Sequence, residues 1–316
     1  MTIPETLMAS MWAANLELPA GSLPDWIAGV EARMAEAQAG GARLLMLPEF
    51  ACAQWLSFAP ADLPLTGQIA WLAGLAPEAL AALRPLPSRY GVALLAGTMP
   101  WPQPGSGRKA AYRNRAWLLL PDGRAFAQDK ICLTPSERNP KGWLLTPGAQ
   151  VNVVVWDGLR IAVVICLDVE FAALMAKLGK LDLDLILIPA KTDMLSGYYR
   201  VFGCAKARAI EMQAAVCVVG AIGSPLGHPA YDTVLGGAAA YVPCEAALSP
   251  TGIAAALEPH AAASGLSPVL NATLALAAYR RIRHGGAEAE VWPASWPANR
   301  IKIADPAPEE PDAAAP

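Results

Sequence analysis

Histidine is scarce in this chain of 316 residues, which has only His228, His260 and His284. None is spaced with another as paired ligands on one helical turn would be, so a histidine-built metal centre is not expected. The six cysteines, Cys52, Cys132, Cys166, Cys204, Cys217 and Cys244, include no C-x-x-C pair. They are too sparse for a disulfide scaffold and wrongly spaced for structural zinc. An excess of positive charge is also lacking. The net charge is -3 with Lys and Arg scattered, so there is no basic stripe to neutralise phosphates and no nucleic-acid partner is expected. Hydrophobic residues make up 54%, yet Pro, Gly or a carboxylate cuts each long apolar stretch before about 18 residues accumulate, so no membrane partner is expected either. The opening MTIPETLMASMW carries an acid and no basic run, unlike a secretory signal. A cytoplasmic, reducing compartment and a small-molecule partner are the expectations.

What is present is a succession of short apolar runs and helical stretches without a linker break, which reads as one domain over 1–303. Strands are expected at Leu7–Leu16, Leu44–Leu47, Val92–Thr98, Ala111–Leu120, Arg124–Leu133, Ile161–Ile165, Asp184–Ile188, Ala214–Ile222, Ala238–Val242 and Ile253–Leu257. Helices are expected at Ser22–Gln38, with Ser22 as N-cap and Gly40-Gly41 as stop, at Thr66–Tyr90 broken by prolines, at Phe171–Lys180 and at Gly197–Gln213. The stretch Pro100–Lys109 reads as a turn-rich loop, and Thr134–Gly148 as a functional loop, being long and rich in Pro. Strands alternating with helices and hairpins imply an α/β sandwich with mixed sheets. The Ala, Pro, Asp and Glu tail from Ala304 to Pro316 cannot bury a core and is expected to be disordered or draped over a partner subunit.

Three strand ends carry chemistry. Cys166 closes the run RIAVVI and precedes a helix, the position where open α/β sheets bind ligands. A buried packing cysteine is the plainer reading. Against it, Asp168 and Glu170 follow within four residues, and a nucleophile needs acid–base groups close by. Glu49 closes LLMLPEF, where burial would raise a carboxylate toward the range of a general base. Lys130 lies near the end of Arg124–Leu133, and by itself an isolated strand lysine is a snorkelling surface group.

The ordered triplet Glu49, Lys130, Cys166 resembles that of the nitrilase, or carbon-nitrogen hydrolase, superfamily. LLMLPEF, KICLTPSE and RIAVVICLDVEF are similar to its glutamate, lysine and cysteine motifs. CAKARAIEMQ and PAKTDMLSGYYRV are similar to segments downstream in an amidase-like branch, so the likeness spans roughly residues 40–260. The resemblance implies a four-layer α-β-β-α sandwich, assembled as homodimers or larger oligomers through the helices beside the cysteine, and catalysis without metal or cofactor. It implies Glu49 as base, Cys166 as nucleophile and Lys130 as the cation for the oxyanion, joined by the backbone N–H of Leu167. Glu137, seven residues past Lys130, falls on a second glutamate that orients lysine or substrate. The substrate implied is a small amide or, alternatively, a nitrile. The chain departs from the pattern in having Ala172-Ala173 after Phe171 where Pro-Glu is usual, Leu167 after the cysteine where an aromatic is common, and GGAAAYV without a serine.

Two other classes compete. A Cys-His hydrolase would use His228, but Cys166 lacks the flanking glycines of a nucleophile elbow, having Val164 and Asp168 there. A non-catalytic interaction protein on the same scaffold is the other.

Overall fold

Alternation within the apolar runs divides them between two interiors. Leu44 and Met46 pack with Ala93 and Leu95 in one core, while Leu45 and Leu47 pack with Leu94 and Ala96 in another. Strands covered on both faces read as unbroken apolar sequence, which is why LLML carries no polar break. The computed structural model describes residues 3–103, 111–140, 142–226 and 234–289. Its strands are β1 (Leu7–Trp12), β2 (Leu44–Met46), β3 (Ala93–Gln103), β4 (Ala111–Leu119), β5 (Ala125–Asp129), β6 (Val153–Trp156), β7 (Leu159–Val163), β8 (Leu185–Ala190), β9 (Ala215–Gly220), β10 (Ala238–Tyr241), β11 (Ile253–Ala256) and β12 (Val269–Leu274). They form two six-stranded sheets, ordered β12-β1-β2-β3-β4-β5 and β11-β10-β9-β8-β7-β6. Each has three parallel strands, β1-β2-β3 and β7-β8-β9, with antiparallel neighbours outside them.

The helices are α1 (Leu23–Ala39), α2 (Gln68–Leu83), α3 (Leu86–Tyr90), α4 (Pro135–Arg138), α5 (Ala172–Leu178), α6 (Leu195–Met212) and α7 (Leu276–Arg283). In α1 the Ser22 hydroxyl accepts from the Asp25 N–H, and the buried stripe Leu23, Trp26, Val30, Met34, Ala37 recurs every three or four residues, the spacing of one helical face. With α1 and α2 against β2 and β3, α6 against β9 and β10, and β1 and β12 against β10, the molecule is the expected four-layer α-β-β-α sandwich.

Several boundaries differ from the sequence reading. The first strand stops at Trp12, and Asn15 instead forms a bridge to Ile222, joining the ends of the two sheets. The expected loop at Pro100–Lys109 begins as strand: β3 continues to Gln103, with Pro100 opposite Asn114 and Pro102 opposite Tyr112. Both prolines share one parity, so their missing N–H groups fall on the side that the three-residue β2 does not reach. Residues 104–110 lie outside the described residues. The helical run breaks at Arg84–Pro85 while Pro77 sits inside α2. Buried Ile69, Leu72, Ala76 and Leu83 offset the roughly 3 kcal/mol that an interior proline costs. The run Leu65–Tyr90 is long and apolar enough to span a membrane by length and composition alone, although Gly67, Gly74, Pro77 and Glu78 cut it as expected; here α2 packs on β3.

Four elements were not anticipated: β6, β12, α7 and the short α4. Of these, β12 and α7 bring the chain back across both sheets. β12 pairs with β1 in the first sheet, while Arg280 and the fully buried Arg283 of α7 clamp the buried Asp184 at the start of β8, Arg283 at 2.8 Å. The tail expected to be disordered, 304–316, lies outside the described residues.

Candidate functional site

Glu49 stands just beyond β2, on backbone that only one neighbour permits. Phe50 after it is left-handed, with φ +53°, and its N–H donates to the Thr98 hydroxyl at 2.8 Å. Gly97 passes beneath with φ +68°, and a Cβ there would overlap the Pro48 carbonyl oxygen. A side chain at 97 would therefore displace the segment that aims Glu49.

Lys130 follows β5 directly. Its N–H donates to the Asn114 carbonyl at 2.9 Å and its own carbonyl accepts from Gly148 at 2.7 Å, so its main chain is held on both sides. The side chain is 2% exposed, not the surface group an isolated strand lysine suggests. Its Nζ lies 2.8 Å from Glu49 Oε1 and 2.8 Å from Glu137 Oε2. The expected loop 134–148 contains α4, which delivers Glu137 through a capping box. The Thr134 hydroxyl accepts from the Glu137 N–H at 3.3 Å, and the Thr134 N–H donates to Glu137 Oε2 at 2.8 Å.

Cys166 comes three residues past β7 and opens a tight turn, Cys166–Glu170, ahead of α5. Its φ is +48°, a conformation that costs a non-glycine residue about 1–2 kcal/mol and collects at functional sites. The thiol donates to the Lys191 carbonyl at 3.5 Å and lies within electrostatic reach of the Glu49 carboxylate. The second oxygen of Glu49 accepts from the Lys191 N–H at 2.9 Å.

Asp168 and Glu170 do not serve the thiol as acid–base groups. Asp168 accepts from the backbone N–H groups of Cys132 at 2.6 Å, Ile131 at 3.1 Å and Ile165 at 3.4 Å, so it ties the lysine segment to the cysteine turn. Glu170 pairs with Arg200 at 3.0 Å. The carboxylate beside the thiol is instead that of Glu49, more than a hundred residues earlier. Leu167 is half-buried beside Cys166, and His228 of the competing reading lies outside the described residues.

Electrostatics follow from burial. Loss of water raises Glu49, Lys130 pulls it back and Glu137 pushes it up again, leaving it above the ordinary carboxylate range. Burial alone would lower the Lys130 ammonium, but Glu137 and Glu49 outweigh it and hold it well above its usual value. Burial and the Glu49 charge drive the Cys166 thiol well above its ordinary range, and Lys130 offsets only part. The resting site thus holds a protonated thiol against a carboxylate of increased basicity.

This arrangement makes Lys130 structural as well. Lys130→Met keeps the chain length and removes the ammonium that contacts both glutamates, leaving an uncompensated buried charge. A loss of about 3–5 kcal/mol is expected, read as a lower urea midpoint at constant slope. The loss should shrink as pH falls and the carboxylates protonate. A variant as stable as wild type at neutral pH would mean the pairs contribute nothing net.

Two site residues escaped the sequence reading. Lys191 acts through its backbone N–H and carbonyl, which no residue-type search detects. Asn114 is fully buried on β4 and donates from Nδ2 to Glu49 Oε1 at 2.8 Å and to Glu137 Oε1 at 3.0 Å. It left one signal: it shares strand parity with the core residues Ala116 and Leu118, where an amide is out of place.

Solved and curated proteins agree with this picture. An acrylamide complex of a mutant amidase from Nesterenkonia sp. AN1 superposes with a TM-score of 0.62 at 19% identity, covering 89% of this chain and 95% of that one, a likeness of fold. The probable hydrolase YhcX of Bacillus subtilis (strain 168) is 37% identical over 111 residues, which are 35% of this chain and 21% of that protein. An (R)-stereoselective amidase from Pseudomonas sp is 30% identical over 77 residues, 24% of this chain and 27% of that one. The matched stretches therefore span only about a quarter or less of these curated relatives. The sequence profile of the carbon-nitrogen hydrolase family matches residues 13–276, which run from just past β1 through β12 and include every group of the site. With that match and the shared fold, the chain belongs to the carbon-nitrogen hydrolase family, within the nitrilase superfamily.

Proposed function

We propose that this protein is an amidase that hydrolyses linear amides through a thioester on Cys166. One observation carries the reading: the Cys166 thiol stands beside the Glu49 carboxylate, which also holds the Lys130 ammonium at 2.8 Å. Glu49 takes the thiol proton as the sulfur attacks the amide carbon, so the thiolate forms during attack rather than beforehand. The carbonyl oxygen becomes an anion beside Lys130 and the Leu167 N–H, and preorganised donors stabilise it with little rearrangement. Collapse breaks the C–N bond, and the amine leaves with the proton held by Glu49. Water then attacks the thioester, Glu49 takes its proton, and the acid departs as the thiol is restored. Glu137 holds the ammonium in place. These steps use the chain's own side chains and backbone and call on no cofactor. The amidases among the similar proteins favour an amide over a nitrile.

The test is to incubate the purified protein with short amides, dicarboxylic monoamides, N-carbamoyl compounds and nitriles. Ammonia is measured together with the mass of the Cys166 peptide after an early acid quench. Ammonia from an amide, with the acyl mass on Cys166, is expected. A nitrile would leave a thioimidate, which differs by NH in place of O. Turnover of nitriles only, or an adduct elsewhere, would overturn the reading.

A further inference from the structure

Asn114 occupies a core-facing position of β4 and is completely buried. An amide there is costly unless both its ends are hydrogen-bonded. Here only one end is. Nδ2 donates to Glu49 and to Glu137, while Oδ1 has no hydrogen-bond partner among the described residues. The orientation is dictated by the acceptors, since carboxylates can bond only to the NH2 end. An amide kept for packing would satisfy its oxygen as well; this one is retained for its two N–H bonds.

Charge explains why they matter. The groups facing Glu49 are the Lys130 ammonium after β5, the Glu137 carboxylate of α4 and the Cys166 thiol after β7. From the end of β8, Lys191 offers its backbone N–H, and its own ammonium pairs with Asp193 at 2.6 Å. The buried cluster therefore holds two carboxylates against one shared ammonium. Like charges in low dielectric favour protonation of one of them, and a proton on Glu49 would remove the carboxylate beside the thiol. Asn114 alone donates a neutral hydrogen bond to both carboxylates.

We propose that Asn114 is a positioning residue that keeps Glu49 ionised and fixed beside Cys166 by bridging Glu49 to Glu137. The proposal rests on Glu49 being the base. Removing the donor makes the ionised form of Glu49 less favourable, so its titration moves to higher pH. Hydrogen bonds to charged groups are strong enough for a shift of about one to two pH units.

The experiment is the pH dependence of Cys166 alkylation by iodoacetamide in the full chain, for wild type, Glu49→Gln, Asn114→Ala and the near-isosteric Asn114→Asp. Wild type should show an inflection that Glu49→Gln lacks. In Asn114→Ala that inflection should rise by one to two units, so the rate falls about ten- to hundredfold on the acid side and recovers as pH increases. Asn114→Asp puts a third carboxylate in the cluster and should shift it further. An inflection that stays in place, or a rate lowered by one factor at every pH, would overturn the proposal. Failure of both Asn114 variants to fold would do so too, assigning the residue to architecture. A wild-type profile identical to that of Glu49→Gln would instead remove Glu49 as base, a distinct outcome.

Discussion

Replacing Cys166 by alanine is expected to reduce amide turnover to the uncatalysed level while the protein stays folded. The substitution removes the atom that forms the covalent intermediate, and neither Glu49 nor Lys130 can take its place: one has no nucleophilic partner left to activate, the other is an ammonium shared by two carboxylates. The structural effect is small. Alanine keeps the Cβ and accepts the same left-handed backbone, φ +48°, at similar strain. The sulfur's polar contacts are the Lys191 carbonyl and Glu49, both of which retain other partners or main-chain support. Removing one buried methyl-sized group costs about 0.5–1.5 kcal/mol. Ammonia release with a linear amide, read beside a denaturant midpoint, checks both halves. A folded Cys166→Ala protein that still releases ammonia at the wild-type rate would mean that the nucleophile lies elsewhere.

Glu49→Gln should reduce both thioester formation and its hydrolysis by about 10² to 10⁴-fold, the usual contribution of a general base. Geometry adds to the loss of basicity. Glu49 accepts Lys130 and Asn114 on one oxygen and the Lys191 N–H on the other. Glutamine has one oxygen, so its NH2 group must face a donor whichever way it turns. Glu137→Gln meets a similar conflict, because Oε1 accepts from Asn114 and Oε2 from Lys130 and the Thr134 N–H. The two variants are thus matched for lost hydrogen bonding, and of the two glutamates it is Glu49 that acts on the thiol. Single-turnover acylation should therefore be far slower in Glu49→Gln than in Glu137→Gln. The reverse order in folded proteins would move the base to Glu137.

The three residues that were legible from the chain itself share a common feature: each stands at a discontinuity. Glu49 and Cys166 end apolar runs and Lys130 lies near the end of a hairpin strand, while Glu137 was legible only through the likeness of KICLTPSE to the family's lysine motif. Polar groups at strand ends are delivered to one edge of a sheet, so order along the chain already suggested convergence. Asn114 interrupts no boundary and was hidden in mid-strand. Asp168 was misassigned for the converse reason. Nearness in sequence to Cys166 resembled nearness to the thiol, yet the turn after the cysteine sends that carboxylate to the backbone of Ile131 and Cys132.

By itself, then, the sequence determined the strand and helix inventory up to Leu257, apart from β6 and α4, through hydrophobic period and turn residues, and with it the sandwich class. It also determined which four side chains would meet, because strand-end position and the family motifs agree. Only the tertiary structure decided their protonation and their partners. Whether Lys130 is a surface ammonium or a buried one held between two glutamates depends on desolvation and on groups up to 81 residues away, which no local pattern encodes. The pairing of β12 with β1 and the anchoring of α7 on Asp184 were likewise settled by long-range packing, since short strands and charged helices gain their stability from what covers them rather than from their own residues.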